Sequence, residues 1–174
     1  MNAESSDISA INAFFESLKL HNPHRSAAAV EVLVKFAPTT IQPLIDAFYD
    51  SNDQGIQVYI VQALAQIGNP AAFDLLAEVV GKEVANHCQG NVRRIAARGL
   101  GRIGITSTNT EIIHLASEKL IWALLTPQDW GLRYAAAVSL QEIATPAANI
   151  ALQKALKLEQ DKVVQSRIAK ALES

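Results

Sequence analysis

The residues with the most chemical potential stand together at Asn86-His87-Cys88-Gln89-Gly90-Asn91, with Arg93 and Arg94 directly beyond. Cys88 is the sole cysteine of the 174 residues, so an internal disulfide does not account for it. A thiol becomes reactive when its thiolate is favoured. The unpaired N–H groups and dipole of a helix N-terminus, with two guanidinium groups close by, favour it. His87 beside it carries the side chain that exchanges protons most readily near neutral pH. A small buried hydrophobe is the competing reading and the commoner fate of a lone cysteine. The flanking Asn, Gln and Gly residues pack poorly in a core, which keeps the chemical role open.

Arg94, Arg98 and Arg102 follow at i, i+4 and i+8 and share one face of a helix. That face suits the carboxylates of an anionic ligand. Its alternative use is salt bridging, with the arginines bracing the next helix. Asp129 reads as a helix N-cap, and a carboxylate of this kind also accepts from the N–H groups of a ligand.

A repeat positions these residues. Ser26–Ala37, Gln57–Gly68, Arg93–Gly104 and Arg133–Ala144 align without gaps, and Gln165–Leu172 is a shortened fifth copy. The anchor leucines, Leu33, Leu64, Leu100, Leu140 and Leu172, are 31, 36, 40 and 32 residues apart. Those intervals hold one helix pair each, on the short side for HEAT repeats. Within each copy small apolar residues recur with helical period, as in Ala96, Ala97, Leu100 and Ile103. Second helices are expected near Thr40–Tyr49, Ala71–Val80, Thr110–Leu125 and Ala147–Leu158, with Pro38, Pro70 and Pro146 at the junctions. A helix from about Ile8 to Leu20, capped by Asp7, is expected to cover the first repeat with Ile8, Ile11, Phe15 and Leu18. No stretch alternates with period two. The fold class is all-α, a single α-solenoid domain over residues 1–174.

Eleven residues before each anchor stands Asn22, Asp53, Gln89, Asp129 or Asp161. Gln89 breaks a run of good caps, so Asn91 is expected to cap the third copy and leave His87 and Cys88 in a loop ahead of the helix. Trp130 falls in the corresponding turn one repeat later, on the same edge, where an exposed aromatic suits a flat ligand or simply packs over the helix start. Tyr59 and Tyr134 stand near helix starts and are expected toward the inner surface. Trp122, among Leu120, Ile121 and Leu124, reads as core. His114 reads as structural, and His21 and His24 carry no evident chemistry.

The remaining composition narrows the function. A net charge of -2 with no broad Lys/Arg stripe does not suit a phosphate-backbone binder. No apolar run approaches a membrane span, and Met1–Asp7 lacks the pattern of a secretory signal, so a cytoplasmic protein is expected. The histidines and Cys88 form no standard zinc spacing, and no phosphate-binding, nucleophile-elbow or zinc-protease motif occurs.

The copy RRIAARGLGRIG at Arg93–Gly104 resembles the short HEAT-like repeats of cyanobacterial phycobilisome lyases. The hexapeptide Asn86–Asn91, NHCQGN, resembles the signature of the F-subunit family of phycoviolobilin lyase–isomerases. That resemblance implies attachment of phycocyanobilin to a cysteine of a phycobiliprotein alpha chain and its isomerisation to phycoviolobilin. It implies a longer E-type subunit as heterodimer partner and no cofactor besides the bilin substrate. His87 and Cys88 would then be catalytic. Asn86, Gln89, Gly90, Asn91, Arg94, Arg98, Asp129, Trp130 and Tyr134 would bind substrate, Arg94 and Arg98 through the bilin propionates. A non-isomerising lyase subunit, a HEAT-repeat chaperone of phycobiliproteins and a HEAT-like DNA repair enzyme are the alternatives. The last is disfavoured by the charge.

Overall fold

The computed structural model describes residues 9, 11–14, 16, 23–35, 37, 39–82, 87–126 and 128–173, with backbone alone at 23–27, 29 and 87–89. All regular structure among the described residues is helical. The elements are α1 (Pro23–Lys35), α2 (Ile41–Asp50), α3 (Gln54–Ile67), a 3-10 turn (Pro70–Ala72) leading into α4 (Phe73–Gly81), α5 (His87–Thr106), α6 (Thr110–Leu125), α7 (Trp130–Ile143), α8 (Pro146–Leu158) and α9 (Lys162–Leu172). Helices α1, α3, α5, α7 and α9 stack in one layer, and α2, α4, α6 and α8 form the other.

The odd-numbered layer is the tighter because its contact positions are small. A Cβ at Gly99 would stand 2.7 Å from the Cβ of Ala65, and one at Gly101 would stand 2.5 Å from Ser139 Oγ. Closer spacing on one side of a stack curves it toward that side, so this layer lines the concave surface. Leu33, Leu64, Leu100 and Leu140 are fully buried between the layers. Leu172 is only partly covered.

The aspartate caps form as the repeat register requires. Asp53 accepts from the N–H groups of Gly55 and Ile56, and Asp161 from those of Val163 and Val164. At the other end, α3 and α7 stop in left-handed residues, Gly68 at φ 65 and Ala144 at φ 54. Helix α5 does not stop at the glycine of its register. It runs for 20 residues against 14 in α3 and α7, passing straight through Gly104 to Thr106. Added length in the third copy therefore extends the helix at both ends.

Several expectations need correction. The Ala71–Val80 helix starts with a 3-10 turn, because Pro70 opens it and Asn69 Oδ1 accepts from Ala71 N. Trp122 is not core: it is 37% exposed, with Lys119 Nζ 4.8 Å from its ring centre. The buried stripe of α6 is Ala116, Ser117, Leu120, Ala123 and Leu124, and a residue two positions from Leu120 and Leu124 turns some 200° away. His114, read as structural, points outward beside Glu118 at 3.5 Å, one turn along the same helix. Of the N-terminal helix, Ile11 and Phe14 are buried, while Asp7, Ile8, Phe15 and Leu18 lie outside the described residues.

Candidate functional site

His87, Cys88, Gln89 and Gly90 form the first turn of α5, and Asn91 is its fifth residue. The expected loop and Asn91 cap are therefore wrong. Gln89 stands where the other copies hold a capping Asp or Asn, so no strong cap halts the helix there, and each further residue gains a backbone hydrogen bond. His87 and Cys88 still stand at a helix N-terminus. The two residues occupy the turn whose N–H groups have no partner within the helix, so the field of the helix N-terminus acts on them directly. Gly90 is buried and Asn91 exposed; Asn86 and the side chains of residues 87–89 lie outside what is described.

Two turns beyond His87, Arg94 leaves α5 and meets the start of α7. Its Nη2 donates to Asp129 Oδ1 at 2.8 Å, and its guanidinium lies 5.5 Å from the Trp130 ring centre. Asp129 Oδ1 also accepts from Gly131 N at 2.9 Å and Leu132 N at 3.3 Å, so one oxygen serves as helix cap and ion-pair partner together. Burial pushes this carboxyl up, but the Arg94 hydrogen bond and charge, aided by the two backbone N–H groups, outweigh it and hold Asp129 below its ordinary value. Gly131 makes the crossing possible, since a Cβ there would collide with the Arg94 guanidinium. Two polar atoms of the cluster are buried with no hydrogen-bond partner among the described residues, Arg94 Nε and Asp129 Oδ2. Trp130 is the first residue of α7 rather than part of the turn, and it is 48% exposed. Tyr134, one turn on, is 37% exposed.

Arg98 makes the second link between α5 and α7. It forks onto Glu142 at 2.7 and 2.9 Å and donates to Ser139 Oγ at 3.0 Å, while Ser139 in turn donates to Ala97 O. Arg94 and Arg98 thus both meet carboxylates of the protein itself. Beside Arg98 an open groove of about 730 Å³ runs along α3, α5 and α7. It is lined by Gln62, Ala65, Gln66, Asn91, Ile95, Arg98, Arg102, Ile105 and Glu142. The structure therefore gathers Arg94, Asp129 and Trp130 at one end of α7 and places Asn91 and Arg98 in the groove. Glu142, Ser139, Gln62 and Gln66 were not anticipated. The repeat register held a signal for two of them, since Gln66 and Glu142 are the counterparts of Arg102 in the copies on either side.

Arg93 and Arg133 have a different duty. Arg93 is buried and its Nε donates to Val80 O at 2.9 Å; burial draws its pKa down, against the pull of Asp129. Arg133 forks onto Glu159 at 2.7 and 2.9 Å and donates to Gln128 O, and Gln57 in the same register donates to Phe48 O and Ser51 O. These residues bind each inner helix to neighbouring chain, as the register suggests. Among the described residues no helix is long and apolar enough to cross a membrane, and no three His, Cys, Asp or Glu residues converge as metal ligands.

Comparison with known proteins agrees with this architecture. Residues 79–173 match the family model for HEAT repeats, and residues 56–81 match that of the PBS lyase HEAT-like repeat. The chain is 62% identical to the bilin biosynthesis protein PecF of Nostoc sp. (strain PCC 7120 / SAG 25.82 / UTEX 2576), over 99% of both chains. It is 60% identical to PecF of Mastigocladus laminosus, over 98% of this chain and 82% of the relative. The chain belongs to the PecF family. Among solved structures, this PecF-family chain matches the complex of CpcE and CpcF of phycocyanin lyase from Nostoc sp. PCC7120. The TM-score is 0.78 at 26% identity, covering 98% of this chain and 99% of that one. A phycocyanobilin lyase subunit beta from Thermosynechococcus vestitus (strain NIES-2133 / IAM M-273 / BP-1) is 30% identical over 98% of the chain and 84% of the relative.

Proposed function

We propose that this chain is the F-type subunit of a heterodimeric bilin lyase–isomerase, working with an E-type subunit in the cytoplasm. The substrate is phycocyanobilin, the acceptor is a cysteine of a phycobiliprotein alpha chain, and the bound product is phycoviolobilin. No resident cofactor is needed. The observation that carries this reading is full-length similarity to PecF, with the His87-Cys88 pair standing in the first turn of α5.

The chemistry is an addition followed by a proton relocation. The acceptor sulfur bonds to the ethylidene carbon of the bilin and the thiol proton ends on the bilin, so nothing leaves. A proton is then removed from one end of a conjugated segment and delivered to the other, which moves a double bond and shortens conjugation without net oxidation. That second step needs an acid–base pair at the bilin. Cys88, its thiolate favoured by the helix N-terminus, adds reversibly to the bilin or shuttles the proton, and His87 is its acid–base partner. Asn86, Gln89, Gly90 and Asn91 shape the approach to this turn. The flat chromophore lies against Trp130 and Tyr134. Asp129, whose Oδ2 is buried with no partner among the described residues, is the acceptor for pyrrole N–H groups, which reach it when the Arg94 side chain swings aside. Arg94 and Arg98 meet the propionates by sharing or exchanging their present carboxylate partners.

The test combines the chain, its E-type partner, phycocyanobilin and the acceptor apoprotein, and records the adduct's absorption. A blue-shifted, photoreversible adduct dependent on this chain is expected. Cys88→Ala is expected to leave an unshifted adduct. Undiminished isomerised product from that variant overturns the assigned role, and an unshifted adduct from the unaltered chain makes it a plain lyase subunit.

A further inference from the structure

The inner face of α5 carries Arg94, Arg98 and Arg102, and the three differ in what they already hold. Arg94 is tied to Asp129 and Arg98 to Glu142 and Ser139. Arg102 is exposed and lines the groove, and no carboxylate, carbonyl or hydroxyl meets its guanidinium among the described residues. Its stem is nonetheless held in place. It crosses the end of α3 at Gly68, where a Cβ would collide with Arg102 Cγ and stand 2.8 Å from Cδ. Gly68 is left-handed, at φ 65, and closes α3 through its N–H to Leu64 O, so both space and backbone conformation at this point favour glycine. A long cation with a seated stem and an unengaged head is preorganised for an anion arriving from outside.

The rest of the groove fits an elongated apolar molecule with acidic ends. Ile95 and the half-exposed Ile105 give it apolar wall. Gln62 and Gln66 face it from α3, with no hydrogen bond of their own among the described residues. Glu142, the groove's carboxylate, is already forked by Arg98 and does not neutralise Arg102. The volume of about 730 Å³ lies within the range of pockets that hold molecules of drug size and above. Arg102 stands 14 residues beyond Cys88, about 21 Å along the helix axis, and helical side chains lean back toward the N-terminus, which shortens that span.

We propose that Arg102 is the carboxylate anchor of the groove. It holds a propionate of the linear tetrapyrrole as a charge-assisted hydrogen bond, with Gln62 and Gln66 beside it, while the reacting ring lies toward the first turn of α5. Arg94 and Arg98 then serve first as braces between α5 and α7. The inference rests on the bilin reading given above, and it moves the main anion contact to a residue that holds no internal partner among the described residues.

The experiment uses the complete complex with its E-type subunit and compares phycocyanobilin with its propionate dimethyl ester. For the unaltered complex the ester is expected to show a KM about tenfold above that of the free acid. Arg102→Gln is expected to raise KM for the acid about tenfold, to leave KM for the ester unchanged, and to keep the unfolding midpoint, since no internal hydrogen bond is lost. Arg102→Lys is expected to recover most of the affinity. If Arg102→Gln binds the acid as well as the unaltered complex, or weakens acid and ester alike, the anchor assignment is wrong. If the unaltered complex attaches no bilin at all, it is the functional reading that fails.

Discussion

Replacing Asp129 separates the two jobs its Oδ1 performs. Asn caps a helix about as well as Asp, so Asp129→Asn keeps the contacts to Gly131 N and Leu132 N and gives up the charge facing Arg94. Asp129→Ala gives up both. The cap is worth about 1 kcal/mol. The ion pair is discounted because the Arg94 side chain is 37% exposed, and about 0.5–1 kcal/mol is appropriate. The alanine variant should therefore lose about 2 kcal/mol and the asparagine variant no more than about half of that. For a domain of this size these losses mean midpoints about 4–8 °C and 2–4 °C lower. The pH dependence has a definite sign. The folded-state pKa of Asp129 is depressed, so the pair contributes fully above the unfolded carboxylate value of about 3.9 and fades as pH falls through the lower folded value. Urea melts at pH 7, 5 and 3.5 should show a constant gap between the unaltered chain and Asp129→Asn at the two higher values and a narrowing one at the lowest. Equal losses for Asn and Ala at pH 7 would refute the capping account. A gap that does not narrow in acid would refute the ion pair.

Glu159→Ala should cost more than either Asp129 variant. The Glu159 and Arg133 side chains are only 5% and 17% exposed, and the substitution removes both carboxylate hydrogen bonds of a half-buried guanidinium that keeps its bond to Gln128 O, at about 3 kcal/mol or a fall of about 6–12 °C in thermal unfolding. The Arg133 hydrogen bond holds Glu159 below its ordinary pKa against the upward push of burial, so the advantage of the unaltered chain over this variant should also shrink below about pH 4. Gly131→Ala should lower the unfolding midpoint by no more than about 2–4 °C, because the Arg94 guanidinium it displaces takes only the Asp129 ion pair with it, and it should alter Trp130 fluorescence as the guanidinium leaves the ring. An unchanged emission spectrum would show that Arg94 does not need the space at Gly131.

The helical solenoid was legible because its determinants are periodic and local. The anchors Leu33, Leu64, Leu100 and Leu140 fall on one buried line, and the Asp caps at 53, 129 and 161 follow from register alone. The ends of α5 were not legible. Gln89 reads as a failed cap, and sequence does not say whether a failed cap opens a loop or lets a helix continue; here it continues to His87. Trp122 was misplaced because apolar neighbours along the chain do not share a face of a helix.

For the candidate site, the sequence by itself determined which residue types are available: the His87-Cys88 pair, the arginine face and Asp129. These are covalent facts, and their spacing along one helix is fixed by 1.5 Å per residue. Only the tertiary structure decided which of those groups are already engaged. Arg94 is paired with a residue 35 positions away and Arg98 with one 44 away, whereas Arg102 meets no internal acceptor among the described residues. Such pairings depend on how closely α5 and α7 approach. That distance is set by the small residues packed between them, among them Gly101, Gly131 and Ser139, and not by any property of the arginines.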